Sequence, residues 1–111
     1  MAHRSITWLL LSSLVVALSS AGASAQALDA TRAQELTHLV RQDCGSCHGM
    51  TLKGGLGGPL LPDALADLAS ESVASIILEG VSGKPMPPWS GLLSEEEAMW
   101  IARKLKEGFP E

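Results

Sequence analysis

The 111-residue chain has two cysteines, and both fall in QDCGSCHGM, residues 42–50, with a histidine directly after the second. No other feature restricts the fold as strongly. A pair this close leaves three chemistries open: a redox dithiol, half of a zinc site, or C-x-x-C-H as the place where a haem is attached covalently. The rest of the chain has to choose among them.

Compartment bears on that choice. Arg4 precedes ITWLLLSSLVVALSS, an apolar run of signal-peptide character, and Ala23, Ser24 and Ala25 meet the small-residue rule for cleavage. Ser19, Ser20, Gly22 and Ser24 keep the apolar stretch too short for a comfortable bilayer span. Residues 1–25 therefore read as a signal peptide cleaved after Ala25. Residues 26–111 read as one exported domain, periplasmic and without stable membrane insertion once the leader is gone.

Export favours disulfides, yet a bridge between Cys44 and Cys47 closes a tiny loop and stabilises little on the chain-entropy model. A domain of this size is marginal on apolar burial alone and commonly carries a staple. Its only aromatics after residue 25 are Trp89, Trp100 and Phe109. A cofactor wired to the chain would supply the missing apolar mass. Arg4 is the single base before residue 26, so the mature chain has seven bases against twelve acids and no basic block. That composition argues against nucleic acid as a partner.

DATRAQELTHLVRQDC predicts a helix capped by Asp29, with Leu36, Val40 and Cys44 on one apolar row and His38 on the polar side. GMTLKGGLGGPLLP follows, with four glycines around Leu56, as a loop able to lay its backbone against something bulky. It is not a phosphate loop, because Pro59 and Leu60 follow the last glycine where Lys and Ser or Thr would be needed. DALADLA and ESVASIILE predict two short helices, the second ending at Gly80. VSGKPMPPWSG is stiffened by Pro85, Pro87 and Pro88. The last helix has Ser94 and Glu97 as a capping box, Leu93 and Ala98 as a staple, acids first, bases last and Gly108 beyond its end. No segment alternates as a strand does, so the expected fold is all-α with long loops.

On a helical turn, Cys44, Cys47 and His48 stand at i, i+3 and i+4 and project from one side. Two thiols there can add to the two vinyl corners of one porphyrin while the imidazole reaches the iron. Zinc fits poorly: it needs four ligands, and Cys47 with its neighbour His48 cannot easily share a tetrahedral ion. A thioredoxin-like dithiol expects strands nearby. For a second iron ligand the candidates are Met50, Met86, Met99 and His38. Met86 is favoured because Met50 lies too close to His48 to reach the opposite face, Met99 sits on a helix, and the prolines hold Met86 in a rigid, distant loop.

CGSCH, GGPLL, KPMPPW and the capped last helix together resemble the class I monohaem c-type cytochromes over nearly the whole mature chain. The wording of these stretches is similar still more closely to the NirC-type small periplasmic cytochromes of nitrite respiration. The resemblance implies one covalent haem c per chain, with thioethers at Cys44 and Cys47 and axial ligands His48 and Met86. It also implies the Pro59 carbonyl as acceptor for the other His48 ring N–H. It implies a monomeric one-electron carrier and not an enzyme, donating to cd-type nitrite reductase in denitrification. The alternatives are a redox partner in haem d-one maturation, or a haem-based redox or gas sensor module. Lys104 departs from the class pattern, standing where an aromatic is common, so Trp100 is expected to pack against the first helix instead.

Overall fold

The computed structural model describes residues 28–110, and the expected leader and its cleavage site lie outside them. Helices α1 (Ala30–Leu39), α2 (Gly45–His48), α3 (Pro62–Leu65), α4 (Ser70–Glu79) and α5 (Glu95–Glu107) follow in order, with no strand among the described residues.

α1 starts where expected, with the Asp29 carboxylate accepting the Arg32 N–H at 2.8 Å. It does not run on to Cys44 as a regular helix. Val40–Cys44 is a π-helical turn, in which the Gly45 N–H donates to the Val40 carbonyl five residues back. The wider turn re-phases everything after it by about 100°, one residue's rotation. Leu36 and Val40 are accordingly fully buried while Cys44 is only half-buried.

α3 is shorter than DALADLA suggests. The Leu65 carbonyl at its end and the Ala66 and Leu68 carbonyls just beyond are taken by one side chain of α5: Lys106 Nζ donates to Leu65 O at 2.8 Å, to Ala66 O at 3.4 Å and closely to Leu68 O. A cation on terminal carbonyls is favourable on dipole grounds and satisfies acceptors the helix cannot. α4 ends at Gly80, whose φ of 69° few other residues tolerate.

α5 is built as its sequence predicts. Ser94 Oγ accepts from Glu97 N–H, and Glu97 Oε2 accepts from Ser94 N–H. Leu93 and Ala98 are both buried beside this box. The free Glu97 oxygen, Oε1, accepts from Arg32 Nε at 2.5 Å, which pins the start of α5 to the start of α1. Below that pin lies one core, with Leu36 and Val40 of the first helical segment clustered with Ala98, Ile101, Ala102 and Leu105 of α5 and Val73, Ala74 and Ile77 of α4. Burying each large aliphatic there contributes about 1.5–3 kcal/mol.

Trp100 and Phe109, the latter beyond the end of α5, both pack on the core cluster that includes Leu36 and Val40. The Phe109 ring meets Trp100 edge-on at 6.5 Å, and the Arg41 guanidinium lies 6.0 Å from its centre. Lys104 Nζ sits over the Trp100 ring, 5.9 Å from its centre.

Candidate cofactor site

A cavity of about 590 Å³ opens between the α2 segment, the glycine loop, α4, the proline loop and α5, and its size suits a tetrapyrrole. Its walls are almost wholly apolar, with Leu60, Leu65, Leu68, Val73, Ile76, Ile77, Ile101 and Leu105 among them. Leu68 and Ile76 are two of the more exposed large apolar side chains in the molecule, because they face this space.

Cys44, Cys47, His48 and Met86 all line it. The π turn and α2 deliver the first three. Neither cysteine is disulfide-bonded; Cys47 is exposed and Cys44 half-buried. Burial pushes the Cys44 thiol up to about 11, helped by the neighbouring Asp43 carboxylate and by Cys47. A redox dithiol depends on the opposite, a depressed pKa that makes thiolate available at neutral pH.

His48 is oriented by backbone. Its Nδ1 lies 2.7 Å from the Gly58 carbonyl oxygen. A carbonyl can only accept, so Nδ1 carries the proton and Nε2 keeps its lone pair for a metal. The acceptor is Gly58 and not Pro59, the residue the family resemblance points to. The glycine loop explains the one-residue difference, since Gly57 N–H donates to Cys47 O at 2.8 Å and Gly54 N–H to His48 O at 2.8 Å. These bonds set the register that presents Gly58 to the ring, while Pro59 stays exposed and off the cavity wall.

Met86 arrives on a loop bolted to the end of α4. The Trp89 N–H donates to Ile77 O and Leu78 O, the Ser90 N–H to Leu78 O, and the Val81 N–H to Met86 O. Gly80 makes the close approach possible, because a Cβ there would stand 2.6 Å from Met86 O. With three prolines lacking N–H groups, these few bonds fix the loop.

The other ligand candidates do not reach the cavity. His38 is exposed on α1, Met50 is 55% exposed beyond α2, and Met99 packs on the core. Pro85, Pro87 and Lys84 line the cavity, and so do Trp89 and Gly57, whose parts in the site are plain only once the loops are folded. Free thiols, a proton-free imidazole nitrogen and a thioether in an apolar cleft fit a covalently held haem.

The fold and this site define a c-type cytochrome. Residues 31–103 match the family model described as cytochrome c oxidase, cbb3-type, subunit III, and the chain belongs to this cytochrome c family. It is similar to cytochrome c55X of Pseudomonas aeruginosa, 48% identical over 91% of this chain and 84% of that one. Cytochrome c55X of Paracoccus denitrificans is 49% identical over 80% of this chain and 86% of its own. Among solved structures, a c-type cytochrome NirC superimposes with a TM-score of 0.72 at 50% identity, covering 74% of this chain and 96% of that one. The dihydro-heme d1 dehydrogenase NirN in complex with DHE matches at TM-score 0.61 and 32% identity, over 67% of this chain but 16% of that enzyme. The fold is thus the all-α class I cytochrome c fold, and the protein is an electron carrier that binds haem c covalently and is not an enzyme.

Proposed function

We propose that the mature chain is a periplasmic carrier with one haem c, held by thioethers at Cys44 and Cys47 and ligated by His48 and Met86, and that it donates electrons to cd-type nitrite reductase in denitrification. The observation that carries this is the meeting of all four side chains in one apolar cavity although Met86 lies 38 positions beyond His48. The bound haem supplies a one-electron ferrous/ferric couple. The chain's own part is to keep that couple fast and correctly poised. Gly58, by accepting from Nδ1–H, makes the His48 Nε2 a better donor. The Met86 thioether favours the reduced state relative to a second imidazole. The anchored proline loop holds Met86 in place, which supports a carrier over a sensor that works by releasing a ligand. The likeness to NirC supports the denitrification setting.

The likeness to the NirN dehydrogenase favours a second role, in haem d-one maturation. Dehydrogenation of a dihydro-haem releases two electrons and two protons, so a one-electron carrier would take the electrons in two encounters. Anaerobic stopped-flow mixing separates the roles. Rapid oxidation of the reduced protein by cd-type nitrite reductase is the expected result. Failure of that reaction, with reduction of the ferric protein by the dehydrogenase and its substrate, would transfer the assignment to maturation.

A further inference from the structure

We propose that Gly57 is the positioning residue that sets the plane of the His48 imidazole, by offering it a surface with no side chain. This rests on His48 being an iron ligand. A Cβ placed on Gly57 would lie 2.7 Å from His48 Cε1, 2.8 Å from Nδ1 and 3.2 Å from Nε2. Three ring atoms at such distances mean that the Gly57 backbone lies close against the imidazole. The neighbouring hydrogen bond to Gly58 O constrains the ring at one point only, and about that point the imidazole can still tilt. Contact with Gly57 removes this freedom. Gly57 is itself immobilised, its N–H on Cys47 O at 2.8 Å and its carbonyl accepting from Gly55 N–H at 2.9 Å. The stop therefore moves with the attachment segment and not with the distant loops. Gly57 is not among the residues with positive φ, so its backbone does not require glycine, and the three atoms nearest an added Cβ all belong to the His48 ring.

Gly91 supplies the control, because a Cβ there meets nothing within 4 Å and the residue lies off the cavity wall. The test compares Gly57→Ala and Gly91→Ala in the matured holoprotein, by electron paramagnetic resonance of the ferric state and by the haem-methyl shifts, both of which read the orientation of an axial imidazole. Gly57→Ala is expected to shift the largest g value and redistribute the methyl resonances. Gly91→Ala is expected to match the parent. An unchanged Gly57→Ala spectrum, beside a parent spectrum that shows imidazole ligation, would overturn the proposal. A parent spectrum without imidazole would instead remove the ligand assignment beneath it. If Gly57→Ala loads no haem, the parent decides the matter. In its ferrous state the Gly57 α-protons should show a cross-relaxation contact to the His48 Cε1 proton, and absence of that contact rejects the proposal.

Discussion

The α1–α5 corner and the two loops that wall the cavity are held together by different means. At the corner, side chains do the holding: Leu36, Val40, Ala98 and Ala102 are fully buried, and Arg32, Glu97 and Ser94 close the top. In the glycine and proline loops the bonds are main chain to main chain, such as Gly57 N–H to Cys47 O and Val81 N–H to Met86 O. That leaves Leu56, Leu60, Met86 and Pro87 free to line the cavity. Stability and ligation should then be separable by mutation, the corner governing one and the loops the other.

The largest effect should come from the corner. Leu36→Ala removes a fully buried side chain and should lower the unfolding free energy by about 2–5 kcal/mol. Denaturant titration of the ferric holoprotein measures it, and the visible spectrum of the still-folded fraction should not change. A small loss of stability together with an altered ligand spectrum would show that the two regions are not separable.

A smaller cost with a larger spectral change is expected at Gly80. Alanine there must adopt a φ of 69° and bring its Cβ within 2.6 Å of Met86 O. Backbone strain of this kind costs about 1–3 kcal/mol, and the obvious relief is displacement of the proline loop. Gly80→Ala should weaken or abolish the sulfur-to-iron charge-transfer absorption and lower the reduction potential. Retention of both would mean that the loop's placement does not depend on this contact.

The two regions also differed in how much of them the sequence disclosed. α5 was readable from Ser94, Glu97 and Gly108 because caps act within one turn of the residues that form them. That Cys44, Cys47, His48 and Met86 would face one cavity was readable because ligand chemistry restricts residue type and proline restricts conformation. What escaped was set by register and distance. An extra residue in the turn at Val40–Cys44 leaves no mark on an i+4 row of apolar residues. Which carbonyl meets His48 depends on bonds from Gly54 and Gly57, and the choice between Gly58 and Pro59 turns on them. The Arg32 to Glu97 pair and the Lys106 grip on Leu65 to Leu68 join residues 65 and roughly 40 positions apart, where no local pattern points.

The smallest effect sharpens the contrast by pH. Arg32, through its hydrogen bond to Glu97, holds the Glu97 carboxyl below the usual carboxylate range, and the Ser94 N–H adds to this. A carboxyl with a depressed folded pKa contributes stability that is fully present above its unfolded value, about 4.3. That contribution fades as the pH falls through the lower folded value. Glu97→Gln can still accept from Ser94 N–H but offers Arg32 no charge. The parent should therefore melt above the variant at neutral pH, and the gap should close as the solution is acidified below about pH 4. Thermal melts at several pH values, followed by far-ultraviolet circular dichroism, measure the gap. A gap that held constant or widened with acid would show that the pair does not act through charge. Because neither Glu97 nor its partners Arg32 and Ser94 line the cavity, the ligand spectrum of the variant should follow the parent's wherever both are folded. A spectral change tracking Glu97 would mean that the corner, too, takes part in ligation.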